Sequence, residues 1–120
     1  MTVLTVNAGS SSVRLAAFVL EGGALRACGA QRHDAGVGTP VELLTAFVEQ
    51  YLPTPPLAVA HRVVHGGTLL TATRWIDAAV EAEIQRLVPL APLHNPASLA
   101  WVQAGREVWG AGMPQVAVFD

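Results

Sequence analysis

Hydrophobic and polar positions alternate from the first residues of the chain. Thr2–Asn7 (TVLTVN) is β-branched with a period of two, which predicts a strand. Ala8-Gly9-Ser10-Ser11-Ser12 predicts a tight turn, because Gly and Ser favour turns and local side-chain hydrogen bonds. Val13–Leu20 predicts a second strand, Glu21-Gly22-Gly23-Ala24 a hairpin turn, and Leu25–Arg32 a third strand. Three strands on two short connections form an antiparallel meander.

The period then lengthens. Thr39-Pro40-Val41-Glu42 supplies an N-cap, a proline at the first helical position and a glutamate at N3, the pattern of a capping box. Val41, Leu44, Val48 and Leu52 mark one helical face, and Pro53-Thr54-Pro55-Pro56 stops the helix. Leu57–His65 (LAVAHRVVH) is almost continuously apolar and predicts a strand buried on both faces of a parallel sheet. Asp77 caps a predicted helix over 78–88, with Val80, Ile84 and Leu87 on one side. Asn95-Pro96 opens another, which Gly110 ends, and Gln115–Phe119 (QVAVF) predicts a last strand before Asp120. The order is β-β-β-α-β-α-α-β. It predicts an α/β fold with a mixed sheet whose strands one, four and five are parallel. That order resembles the beginning of a ribonuclease-H-like, actin-type ATPase domain.

Composition narrows the classes. Of 120 residues, 52% are hydrophobic and 13% charged, the reverse of a disordered chain. A net charge of −2 gives no basic field for nucleic acid or an anionic membrane surface. The single cysteine, Cys28, excludes an internal disulfide and a cysteine-based zinc site. The longest uncharged stretch, Leu87–Gly105, is interrupted by Pro89, Pro92 and Pro96, and no basic residue precedes Arg14. The expectation is a cytoplasmic protein with neither membrane nor nucleic acid as partner.

Ligands of open α/β sheets bind beyond the carboxyl ends of the parallel strands. Here those ends carry Asn7 with the Gly-Ser-Ser-Ser turn, then Arg62-Val63-Val64-His65-Gly66-Gly67, then Asp120. Such a rim suits phosphoryl transfer. Backbone N–H groups and serine hydroxyls hold phosphate oxygens, Asn7 and Asp120 offer hard oxygens to Mg²⁺, and Arg62 offers a planar fork to a carboxylate or phosphate. Taken singly, each feature has a plainer reading. The serine turn is also an ordinary hairpin, Arg62 a paired structural ion, His61 and His65 core or rim histidines, and His33 a surface residue. Trp75, Trp101 and Trp109 read as packing residues.

Joint occurrence is more specific. TVLTVNAGSSSVRL resembles the opening signature of the acetate kinase family, and AVAHRVVHGG resembles its second signature. APLHNPASL and QVAVFD match two further stretches of the family in the same order. The resemblance implies a Mg²⁺-dependent (or Mn²⁺-dependent), reversible transfer of phosphate from ATP to acetate. It assigns Asn7 to the metal, Ser10, Ser12 and Arg14 to the nucleotide phosphates, and Arg62 to the acetate carboxylate. It places Val64 beside the methyl pocket, Leu93 and His94 as a pair near the substrate and the transferring phosphoryl group, and Asp120 as the catalytic aspartate. Arg14 departs from the family's commoner lysine, so a rigid fork replaces a point charge. The resemblance further implies that residues 1–120 are an incomplete N-terminal domain, inactive alone, of a longer homodimeric enzyme with a second domain. A propionate or butyrate kinase, and a non-catalytic fragment acting only as a folding or binding module, are the alternatives.

Overall fold

The computed structural model describes residues 1–63, 72–92 and 94–119. A meander comes first: β1 (Thr2–Ala8), β2 (Ser12–Glu21) and β3 (Ala24–Asp34) are antiparallel neighbours. Gly22 and Gly23, both at positive φ, close the second hairpin, a conformation glycine adopts without strain. Helix α1 (Pro40–Tyr51) crosses to β4 (Ala58–Val63), which runs parallel to β1. Helices α2 (Ala78–Arg86) and α3 (Asn95–Trp109), joined through a 3₁₀ turn at Val88–Leu90, cross to β6 (Gln115–Phe119), parallel to β4. A two-residue strand, β5 (Arg74–Trp75), pairs antiparallel with β6 at the sheet edge, giving the order β3-β2-β1-β4-β6-β5.

Local sequence accounts for the helix ends. The Thr39 side chain accepts from the Glu42 amide at 3.2 Å, and the Glu42 carboxylate accepts from the Thr39 amide at 3.1 Å. These bonds satisfy two amides that the helix itself leaves orphaned, and they hold the Glu42 carboxyl below its usual pKa. Asp77 caps α2 through the Val80 amide at 2.8 Å, and Gly110 ends α3 at φ +91°. Glu81 of α2 pairs with Arg106 of α3 at 2.7 Å.

The main core lies on one face of the sheet. Leu4, Val6, Leu15 and Val59 pack there against Leu44 and Phe47 of α1 and Trp101 and Ala104 of α3. Val63 and Ala117 pack with Val80, Ile84 and Leu99 in a second cluster. Two expectations change. Strand β4 alternates, with Val59, His61 and Val63 buried and Arg62 exposed, so one of its faces is not enclosed by the described residues. Its apolar run misleads because Ala58 and Ala60 are small enough to sit half-exposed. Trp75, expected to pack, is 65% exposed on that uncovered face. Among the described residues no helix is long and apolar enough to cross a membrane.

Candidate functional site

The parallel register brings the rim residues together. Asn7 follows the Val6–His61 pair of β1 and β4, and the Arg62 guanidinium donates to the Asn7 Oδ1 at 3.4 Å. On the other side Asn7 stands directly opposite Arg14 of β2. Arg62 is also fixed through its backbone: its carbonyl accepts from Ser98 Oγ of α3 at 3.4 Å. Asn7, Arg14 and Arg62 therefore form a polar row on the uncovered face, at the carboxyl ends of β1 and β4.

The serine turn is tight and anchored. The Gly9 amide donates to the Ser12 carbonyl at 2.8 Å, and a Cβ on Gly9 would meet that carbonyl at 3.3 Å. The turn's first N–H is thus used internally. The amides of Ser10 and Ser11 enter no backbone hydrogen bond among the described residues. The Ser11 carbonyl accepts from Ala35 at 2.9 Å, tying the turn to the end of β3. Beside it opens a cavity of ≈190 Å³ lined by Gly9, Ser10, His33, Asp34, Pro40 and Trp101, among others. His33, expected at the surface, is half-buried there and contacts the Gln31 amide oxygen at 3.0 Å.

His94 sits half-buried at the N-cap of α3, where its carbonyl accepts from the Ser98 amide at 3.0 Å. Val64, Leu93 and Asp120, together with His65 and Gly66-Gly67, lie outside the described residues.

His61 turns away from the rim into the core. It is 1% exposed, and its Nε2 contacts Gln115 Oε1 at 2.6 Å. The Gln115 amide nitrogen donates to the Val102 carbonyl of α3 at 2.9 Å, which leaves Oε1 as the acceptor and makes His61 Nε2 the donor. Nδ1 has no partner among the described residues. Burial lowers the imidazole pKa from 6.5 to about 4, with the Gln115 bond acting weakly in the other direction. The ring is neutral at physiological pH.

Sequence reading missed Ser98, Gln115 and Arg32. Ser98 and Gln115 act through contacts between distant segments. Arg32 stands directly opposite Arg14 on β3, so the row reaches one strand further than the motifs indicate. Ala30-Gln31-Arg32 carries no alternation that would single it out, and only the pairing register gives Arg32 its place.

Among the described residues no three His, Cys, Asp or Glu side chains converge as a metal cluster. That is compatible with Mg²⁺, which keeps several waters and takes one or two protein oxygens together with phosphates. The Asn7 Oδ1 on the rim is an oxygen of that kind, with one lone pair left beside its contact with Arg62.

A mixed sheet with this strand order and a polar rim at its carboxyl ends defines an α/β domain of the actin-like ATPase fold. The family model described as the acetokinase family matches residues 21–120, and the chain belongs to that family. An acetate kinase of Deinococcus deserti is 36% identical over 143 aligned positions, covering 100% of this chain and 36% of the relative. The chain thus spans about a third of that relative's length. Among solved structures, a propionate kinase from Francisella tularensis superposes with a TM-score of 0.77 at 28% identity, over 99% of this chain and 36% of that one. The Porphyromonas gingivalis acetate kinase gives 0.76 at 27% identity, over 99% and 37%.

Proposed function

We propose that this chain supplies the acceptor side and the first phosphate turn of an ATP:acetate phosphotransferase making acetyl phosphate and ADP. The observation that carries this is the Asn7–Arg62 contact across β1 and β4, with the Ser10–Ser12 turn at the end of the same strand. Arg62 clamps the acetate carboxylate through its planar fork, while Ser98 and Asn7 hold that arginine from behind and beside. Ser10, Ser12 and Arg14 take the phosphate oxygens of the donor. Asn7 offers its oxygen to Mg²⁺, which when bound neutralises charge on the phosphates.

The family resemblance assigns Val64 to the acceptor's methyl pocket, Leu93 and His94 to the neighbourhood of substrate and transferring group, and Asp120 to the catalytic step. Acetate is already ionised at neutral pH, so the residues have positioning to do rather than deprotonation. On this reading the remaining groups of the cleft, including the adenosine pocket, lie in the part of the relatives this chain does not cover. The 120 residues alone are then inactive, and the whole enzyme is a homodimer of the cytoplasm.

The test is acetyl phosphate formation in a kinase of the relatives' length that carries this sequence, with propionate as second acceptor. Arg62→Ala is expected to lower kcat/KM for acetate by about 2–4 kcal/mol, and Arg62→Lys to recover little. Normal acetate kinetics in a folded Arg62→Ala enzyme sinks the assignment. A kcat/KM higher for propionate than for acetate reassigns the acceptor.

A further inference from the structure

We infer that Arg14 and Arg32 form a two-arginine clamp for the phosphate chain of the donor, with Arg32 as a binding residue in its own right. The inference rests on the function proposed above and extends it to a side chain that the motifs do not contain.

The placement comes from register. Arg32 of β3 opposes Arg14 of β2, Arg14 opposes Asn7 of β1, and Asn7 contacts Arg62 of β4. Four neighbouring strands thus put Arg32, Arg14, Asn7 and Arg62 in one row on the same face. The chain has seven basic residues and a net charge of −2, yet three of those seven stand in this row.

Directly opposed residues of antiparallel strands have Cα atoms about 4.5–5.5 Å apart, and like charges so placed repel. Arg32 is partly compensated, since its Nη1 donates to Asp34 Oδ1 at 2.8 Å. The Arg14 side chain makes no hydrogen bond or ion pair among the described residues. An anion between the two guanidiniums removes the repulsion.

The surface between them is shaped for one. Ala16 and Ala30 oppose each other one step along the same face, and their small side chains floor a depression of ≈280 Å³ flanked by Arg14 and Arg32. One step the other way, Ser12 opposes Asp34, which brings the serine turn to the mouth of the depression. Two planar forks side by side match a group with several charged oxygens on adjacent centres, as in a di- or triphosphate. A single carboxylate satisfies one fork and leaves the other. The row therefore divides its work: the phosphate chain enters between Arg32 and Arg14, and the carboxylate sits at Arg62. Two strand spacings, about 9.6 Å, separate the Arg14 and Arg62 strands, and Asn7 lies between them.

The experiment titrates the 120-residue chain, at low ionic strength, with inorganic tripolyphosphate, ATP and adenosine, by calorimetry and by melting temperature. Wild type is expected to bind tripolyphosphate and ATP with similar affinity, to ignore adenosine, and to melt higher with either phosphate compound. Arg32→Gln is expected to weaken both about tenfold and to reduce the shift in melting temperature accordingly. Arg32→Lys should recover part of the loss, and Arg26→Gln, on the same strand but paired with Glu21, should change nothing. Circular dichroism of the ligand-free variants separates lost binding from lost fold. Unchanged binding in Arg32→Gln beside weakened binding in Arg14→Gln overturns the clamp and leaves the proposed function standing. Unchanged binding in both, or no binding by wild type, overturns the clamp and the phosphate role of Arg14 together. A loss for tripolyphosphate without one for ATP overturns the assignment to the donor.

Discussion

The two faces of the sheet are written by alternate residues of the same strands, and they differ in almost every physical respect. On the covered face Leu4, Val6, Leu15 and Val59 are all but inaccessible beneath α1 and α3. On the other face Asn7, Arg14, Arg62, Trp75 and Val118 are exposed, with Ala16, Ala60 and Val116 half-buried between them. His61 and Arg62 show the contrast within one dipeptide, a neutral imidazole in the core beside an exposed guanidinium. Among the described residues the covered face holds the buried apolar side chains, and the other face leaves its polar groups accessible. Its exposed apolar side chains have little folding energy to lose, so charge and shape can be placed there at small cost.

The largest effect should come from moving a cavity between faces. Phe47→Ala removes a fully buried ring that packs on Tyr51 at 4.9 Å, and should cost about 3–5 kcal/mol in chemical denaturation. Trp75→Ser, on the open face, should stay within about 0.5 kcal/mol of wild type. Comparable losses for the two would break the distinction. Next comes acid. The unfolded His61 accepts a proton near its ordinary 6.5 and the folded one only near about 4, so the unfolded state binds more protons between those values. The His61 contribution is therefore complete above pH 6.5 and declines toward pH 4, by an amount on the order of 3 kcal/mol. Stability measured across that range should fall less steeply in His61→Gln than in wild type. An identical slope would mean that the imidazole is not dry. The smallest effect concerns how the cover is fastened: Thr39→Ala breaks the capping box of α1 and should cost about 1 kcal/mol, read from urea midpoints.

Much of this architecture was legible because its causes are local. Thr39, Pro40 and Glu42 announce the start of α1, Gly110 the end of α3, and the Gly22-Gly23 pair the second hairpin. Strand β5 was not legible. Two residues carry no period, and Arg74–Trp75 is a strand only because β6 offers it an edge. The exposure of one β4 face was hidden for a related reason: alanine is compatible with burial and with exposure alike. For the site, the motifs point to Asn7, Ser10, Ser12, Arg14 and Arg62, and the structure brings Asn7, Arg14 and Arg62 into contact or direct opposition. The opposition of Arg32 to Arg14 depends on how two strands slide against each other, with Cys28 left out of the pairing where the register shifts. A linear pattern does not carry that information.

The buried amide of Gln115 has a consequence for how the chain threads itself. It occupies space that α3 leaves by having glycine at position 105, where a Cβ would stand 2.7 Å from its oxygen. If β6 docked on β4 one residue out of step, its side chains would exchange faces. Gln115 would point to solvent, a valine would meet the imidazole, and a polar ring would be sealed in a dry interior with neither nitrogen bonded. An all-aliphatic seam would tolerate that mistake at modest cost, whereas this one makes the misthreaded sheet expensive. The amide and the imidazole thus act as a proofreading pair for the last strand, and that strand leads directly to Asp120.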